Sequence, residues 1–260
     1  MAIVGRGRIV VWEGASLWLL AGGQEPAVLR PHAHHAIQIT FGLEGSFEIG
    51  VAGERLGGPV AAIASDASHT FRASGAVAFL FIAPESPVGR AIGAKLFAGR
   101  PWASVRGVAA EASLDELRQC LRDGCDEDEM RRLGRKVMAA LPAAAQPALA
   151  DPRVLAMIDV AHRRLEDGVS LPQAAGSVHL SPGRARHLFV EHTGLPFKTY
   201  VLWLRLQRAV GLYAAGRSLT EAAHQSGFSD SAHLSRTFRR TFGLPAAALS
   251  LSSAAGQAGR

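Results

Sequence analysis

The sequence predicts an α+β chain: an antiparallel β-barrel or sandwich, a short helical segment, and then an all-α domain of two helix-turn-helix units joined by a long helix. Three observations predict it. Short β-rich runs recur at roughly 10-residue spacing as far as residue 85. The pattern turns helical after Pro84 and Pro87. A segment beginning at Ser170 is repeated 48 or 49 residues later.

The β-rich runs are Arg8 to Trp12, Ser16 to Ala21, Ala36 to Phe41, Ser46 to Val51, Pro59 to Ala64 and Ala76 to Ala83. Turn residues such as Leu43-Glu44-Gly45 and Gly57-Gly58 separate them. Helices are expected over Val88 to Phe97, Leu114 to Leu121 and Asp126 to Leu141. The acidic run Asp126 to Glu129 suits a helix N-terminus, where the backbone dipole favours negative charge. Arg131, Arg132, Arg135 and Lys136 follow it, giving i,i+4 pairs such as Asp128 with Arg132. Pro142 to Ala150 reads as a linker, and Asp151 with Pro152 as the start of the next helix. Val154, Leu155, Ile158, Ala161 and Leu165 form its expected apolar stripe. The expected division is a β sensor domain at 1–85, a helical dimerisation or packing segment at 86–141, a linker at 142–150, a helical domain at 151–250 and a tail at 251–260.

Charge supports that division. Residues 1–150 hold 15 Lys+Arg against 15 Asp+Glu, and residues 151–260 hold 13 against 7, so the whole excess of +6 lies in the second part. A neutral part joined to a basic one suits a sensor joined to a module that meets a polyanion. Cys120 and Cys125 are five apart, a spacing that does not share a helix face, and two unpaired thiols are expected. The N-terminus lacks an apolar signal region, and no apolar run approaches the ~18 residues of a membrane span, so a cytoplasmic protein is expected. No P-loop, dinucleotide fingerprint or nucleophile–base motif stands in the chain, which argues against an enzyme.

In the repeat, Ser170-Leu171, Ala174-Ala175 and Ser181 recur as Ser218-Leu219, Ala222-Ala223 and Ser229, all 48 apart. Phe189 and Gly194-Leu195-Pro196 recur as Phe238 and Gly243-Leu244-Pro245, 49 apart, so one residue has entered the second copy after Ser229. Each copy opens on a capping box, Ser170 with Gln173 and Ser218 with Glu221. After a turn, Ser181 or Ser229 caps a second helix. In the first copy Ala185, Leu188 and Phe189 face inward, leaving Gly183, Arg184, Arg186, His187 and Val190 outward. In the second, Leu234, Phe238 and Thr241 face inward, leaving Ser231, Ala232, Ser235, Arg236 and Arg239 outward. Small polar residues with Arg on an outward face suit a helix in the DNA major groove, where Arg pairs with guanine. The connecting helix, Lys198 to Ala215, is apolar on most sides and is expected to be buried.

Residues 151–250 resemble the DNA-binding domain of the AraC/XylS family of regulators, most specifically from Ser218 through Gly227-Phe-Ser-Asp230 and Phe238-Arg-Arg-Thr-Phe-Gly243 to Pro245. Leu180-Ser-Pro, Leu188-Phe and Thr193-Gly carry the likeness in the first copy, and Tyr200, Arg205 and Ala209 in the connecting helix. The resemblance implies that two recognition helices enter successive major-groove segments of double-stranded DNA. It implies base reading by Gly183, Arg186 and His187 in the first helix and by Ser231, Ala232, Ser235 and Arg236 in the second.

In the first part, His32 and His34 alternate as on one face of a strand, and His69 follows on a returning strand. The region resembles the cupin barrel, in which such histidines with a following Glu bind a metal; Gln38 stands in the place of that Glu. Two readings are open: inert histidines in the pocket of a small-molecule effector, or a divalent metal site. Trp12, Trp18, Phe41, Phe47 and Phe71 are the aromatic residues expected near that pocket or in the core. The resulting expectation is a regulator with a barrel sensor, no required cofactor, a homodimeric state and RNA polymerase as a partner. The rival is a metal-dependent cupin enzyme fused to a DNA-binding module.

Overall fold

The computed structural model describes residues 5–22, 27–145 and 150–251. Residues 146–149 of the expected linker and 252–260 of the expected tail lie outside this range. Two compact units divide the described chain. Residues up to 145, with 214–216 and 235–251, form the first; residues 150–213 and 217–234 form the second.

The first unit is built on two sheets. Seven strands run in the order β10 (Trp102–Ser104), β7 (Val60–Ile63), β4 (Ile37–Gly42), β9 (Val77–Ile82), β2 (Ala15–Leu20), β1 (Gly5–Trp12), β11 (Leu249–Leu251). Four run in the order β3 (Ala27–His32), β8 (His69–Ser74), β5 (Ser46–Val51), β6 (Glu54–Gly57). All pairings are antiparallel except that of β1 with β11. Strand alternation assigns the two faces of the larger sheet. Leu17, Leu19, Ile37, Ile39, Phe41, Ala78, Leu80 and Ile82 enter one core with Ile92, Phe97, Leu114, Leu117, Met130 and Val137. These last residues come from α1 (Pro87–Phe97), α2 (Val108–Asp123) and α3 (Glu127–Ala140), so the helices cover that face. Trp18, Gln38, Phe79 and Phe81 alternate with them on the opposite face and, with Leu29, Phe71 and Ala73 of the smaller sheet, line an interior pocket.

Several local expectations are corrected. Strands β6 and β10 were not anticipated; β3 and β8 were expected only as the strands bearing His32 and His69, and His34 falls after the end of β3 rather than on it. Pro31 interrupts β3, and β6 and β10 have only 4 and 3 residues, too few for a periodic signal. Strand β8 did carry one, since His69, Phe71 and Ala73 are buried and the residues between them exposed. In α3, Arg131 takes Glu127 at i,i+4, as the pattern expects, while Asp128 pairs with Arg131 and Arg132 with Glu129 at i,i+3 rather than Asp128 with Arg132. Asp126 and Glu129 cap the helix reciprocally. Cys120 and Cys125 are paired as a disulfide, because α2 ends at Asp123 and Gly124, at φ +74°, turns the chain so that the two Cα atoms lie 5.2 Å apart. The chain does not stay helical to its end either: a short 3₁₀ turn at Ala246–Ala248 leads into β11 on the edge of the larger sheet.

The second unit holds α4 (Pro152–Arg163), α5 (Leu171–Gly176), α6 (Pro182–Thr193), α7 (Phe197–Ala214, apart from its last residue), α8 (Leu219–Gln225) and the first turn of α9 (Ser231–Phe242). The stripe of α4 runs through Val154, Met157, Ala161 and Leu165; Leu155 is 41% exposed and does not belong to it. Helix α7 buries Phe197, Tyr200, Val201, Trp203, Leu204, Leu206, Ala209 and Val210. Ala174, Ala175, Ala222 and Ala223 are fully buried, which lets α5 and α8 sit close to their neighbours. Both capping boxes form, at Ser170 with Gln173 and at Ser218 with Glu221.

Candidate DNA-reading helices and effector pocket

Each candidate reading helix begins at a side-chain cap. Ser181 Oγ accepts from the Arg184 amide of α6 at 3.3 Å. In the second copy the cap is Asp230, not Ser229: Asp230 Oδ1 accepts from the His233 amide at 2.6 Å. The reason lies in the turn. Leu180 N donates to Ala175 O in the first copy and Phe228 N to Ala223 O in the second, 48 apart. His179 (φ +55°) and Gly227 (φ +76°) hold the same left-handed position, also 48 apart. Ser181 and Asp230 are 49 apart, so Ser229 is itself the inserted residue.

Burial sorts the helix faces. Ala185, Leu188 and Phe189 are buried on α6, with Phe189 edge-on to Phe197 at 5.1 Å and to Tyr200 at 5.3 Å. Gly183, Arg184, Arg186 and His187 are exposed. On α9, Leu234, Thr237, Phe238 and Phe242 are buried, and Thr241 is only half-buried. Ala232, Arg236 and Arg239 are exposed, and Ser231 and Ser235 are half-exposed.

The barrel brings His32, His34 and His69 together. His32 ends β3 directly across from His69 at the start of β8. Their rings are 4.3 Å apart, those of His34 and His69 5.1 Å, and those of His32 and His34 6.0 Å. His32 Nδ1 donates to the Arg30 carbonyl at 2.7 Å and His69 Nδ1 to the Ala67 carbonyl at 2.8 Å. A carbonyl only accepts, so in these two rings the proton sits on Nδ1 and the Nε2 lone pair is free. His69 Nε2 is buried and has no partner among the described residues. His34 lies between two acceptors, Ala36 O at 3.2 Å and Gln38 Oε1 at 2.9 Å, and a neutral ring donates to one of them at a time. Burial, reinforced by the neighbouring imidazoles, lowers His32 to about 4 and His34 to about 3; burial also lowers His69. All three are therefore neutral at pH 7. One ligand atom from each ring lies within 4.8 Å of the others. Imidazoles anchored through the ring nitrogen that does not face the ion are the donor set a divalent cation takes, so the residues present fit one.

His35 behaves oppositely. Burial alone would lower it, but Asp66 at 2.9 Å and Glu85 at 3.4 Å outweigh that and raise it to about 9. Its clamp across two loops was not read from the sequence, because it joins residues 31 and 50 positions away.

Of the aromatic residues expected at the pocket, Trp18 and Phe71 line it; Phe41 lies in the core under the helices, Trp12 packs against that core, and Phe47 is buried beside Phe71. The lining residues missed include the aromatic Phe79, Phe81 and Phe242, and Leu244. Phe242 left a trace in the repeat. At the place of Thr193, whose hydroxyl donates to the Phe189 carbonyl and closes its own helix, the second copy has Phe242.

Among the described residues no helix is long and apolar enough to cross a membrane. Residues 174–250 match the model of a helix-turn-helix domain. Two Escherichia coli proteins named as HTH-type transcriptional regulators, YpdC and YidL, are each 34% identical, over 85 and 88 residues; these cover 31% and 34% of this chain and 30% of each relative. The chain thus spans about a third of the length of these relatives. The crystal structure of apo ToxT from Vibrio cholerae is similar over 90% of this chain and 96% of its own, with a TM-score of 0.60 at 9% identity. Unsaturated fatty acid-bound ToxT is similar over 92% and 93%, with a TM-score of 0.56 at 12% identity. At such identities the likeness is one of fold. The C-terminal part of the chain is thus a helix-turn-helix domain, which follows, in chain order, a β domain sharing the ToxT fold.

Proposed function

We propose that the chain is a sequence-specific DNA-binding transcription regulator of the AraC type, with α6 and α9 entering successive major-groove segments of double-stranded DNA. The observation that carries this is the outward placement of Gly183, Arg184, Arg186, His187, Ser231, Ala232, Ser235, Arg236 and Arg239 on two side-chain-capped helices of a matched repeat. Arg186 and Arg236 are suited to bidentate contact with guanine, and His187, Ser231 and Ser235 to single hydrogen bonds. Gly183 and Ala232 allow close approach to the bases, while Arg184 and Arg239 are suited to phosphates.

The barrel pocket is the proposed effector site, and the barrel acts as a sensor rather than as an enzyme. ToxT holds an unsaturated fatty acid in one solved structure, and a small molecule in the barrel is the counterpart in this reading. The histidine triad supports a second component, a divalent cation held by His32, His34 and His69 with the Gln38 carbonyl oxygen as a fourth donor. A homodimer and contact with RNA polymerase complete the proposal.

The test is selection of bound sequences from random DNA by the purified full chain. An enriched site with segments about one helical turn apart is expected. Its affinity should fall log-linearly with salt, at about 0.9 per phosphate contacted. No enrichment, or an affinity indifferent to salt, refutes the reading. Turnover of a small substrate by the metal-loaded chain would instead favour a fused enzyme.

A further inference from the structure

The barrel pocket is nearly full. Its water-sized free interior is about 40 Å³, room for a few waters, whereas pockets that take a drug-sized molecule run to roughly 300–1,000 Å³. Two of the side chains that fill it, Phe242 and Leu244, are not barrel residues but the end of α9 and the turn after it. The Phe242 ring lies 5.0 Å from Trp18, 5.7 Å from Phe81 and 6.1 Å from His34. Between the two, Gly243 at φ +74° brings backbone against the triad, so close that a Cβ there would stand 2.7 Å from His32 Nδ1. The repeat shows that this insertion is not needed to end such a helix, since the first copy manages with Thr193.

The chemistry of the walls limits what else could sit there. Among the described residues no Lys, Arg, Asp or Glu lines the pocket, and its polar side chains are His32, Gln38 and the Trp18 indole. The Trp18 N–H is already given to Ser16 Oγ. With the triad free of metal, a buried carboxylate would meet no cationic side chain among these lining residues.

We propose that Phe242 and Leu244 are a built-in plug, and that the effector is a neutral, largely apolar small molecule with one hydrogen-bonding end, which takes their place beside Trp18, Phe79 and Phe81. Entry of such a molecule frees the C-terminal end of α9, the helix that carries Ser231, Ala232, Ser235 and Arg236, and so alters operator affinity. This rests on the reading of the barrel pocket as the effector site.

The test compares 2-naphthol with 2-naphthoate, one ring system in a neutral and an anionic form at pH 7, by calorimetry on the chelator-treated full chain. The expected result is binding of 2-naphthol to the unaltered chain, at least tenfold weaker binding of 2-naphthoate, and tenfold or greater tightening for 2-naphthol in Phe242→Ala, where half of the plug is gone. Leu244→Ala should shift affinity in the same direction. Weaker or unchanged binding in the variants makes the two residues walls rather than a plug and overturns the proposal. Equal affinity for the anion overturns the ligand class, and no naphthol binding to any of the chains overturns both. Hydrogen exchange on the unaltered chain needs no variant. Saturating 2-naphthol should speed exchange of the Gly243 amide, which donates to Arg239 O; slower exchange contradicts displacement. DNA selection without any probe is scored separately, so a regulator lacking this plug would still be recognised as a regulator.

Discussion

The cap of the second reading helix offers a direct test of how the repeat is aligned. Asp230 Oδ1 accepts from the His233 amide at 2.6 Å, while Ser229 Oγ donates to Asp230 Oδ2 at 3.0 Å and makes no cap of its own. Asp230→Ala removes the acceptor for an amide in the first turn of α9, the turn that carries Ser231 and Ala232. Losing such a cap costs about 1 kcal/mol, within a range of roughly 0.5–2. If DNA binding requires that turn to be ordered, operator affinity falls by about fivefold, since 1.4 kcal/mol is a factor of ten. Charge complicates the reading, because removing a carboxylate also relieves repulsion from phosphate. Asp230→Asn separates the two effects: it keeps the cap, loses the charge, and should bind as well as or better than the unaltered chain. Asp230→Ser, the residue at the matching position of the first copy, should recover most of the stability. Ser229→Ala should cost less than Asp230→Ala, since the hydroxyl makes only exposed bonds, to the side chains of Asp230 and His233, and its loss leaves no helix amide unpaired. Urea midpoints and fluorescence anisotropy on the selected operator measure both quantities. If Ser229→Ala proves as costly as Asp230→Ala, the insertion has been placed wrongly and the offset-48 alignment of the caps is restored.

Four further outcomes are expected. Arg236→Ala should cost ~1–3 kcal/mol on the selected site and relax one base position; equal losses on random DNA would assign it to phosphate instead. Phe189→Ala, in a fully buried position between Phe197 and Tyr200, should destabilise the first repeat by about 3–5 kcal/mol and abolish specific binding, read by thermal unfolding and anisotropy. Gly243→Ala should destabilise more than Gly99→Ala, since both positions have positive φ (+74° and +82°) but the methyl meets His32 at Gly243 and nothing within 4 Å at Gly99; equal melting shifts would deny the close approach. Chelator-treated protein should be most stable near pH 6.5. The triad histidines are lowered in the folded chain, so their contribution is present above 6.5 and lost as pH falls toward 4, by about 1.4 kcal/mol per pH unit for each proton the unfolded chain takes up and the folded one refuses. His35 is raised to about 9, so its contribution is present below 6.5 and lost as pH rises through 9. Urea midpoints across pH 4–10 check this, and a profile that stays flat on both sides contradicts the two assignments.

The amino-acid sequence by itself determined the order of β elements before helices, the basic second part, the duplicated helical unit and the outward sets on α6 and α9. Those features rest on local physics: caps that satisfy neighbouring amides, apolar residues at helical spacing, and glycine or proline where the chain turns. It also marked His32, His34, Gln38 and His69. It could not say that Asp230 rather than Ser229 caps α9, because both are good caps and only the turn geometry shows which amide each one meets. Tertiary structure alone decided the His35 clamp, the pairing of Cys120 with Cys125, the return of Leu249–Leu251 to the sheet, and the burial of Phe242 and Leu244 in the barrel. Most of these contacts close loops of tens to hundreds of residues, and the cysteine pair depends on where α2 ends. No periodicity encodes which apolar side chain fills which distant cavity, since hydrophobic attraction has no direction and packing chooses the partner.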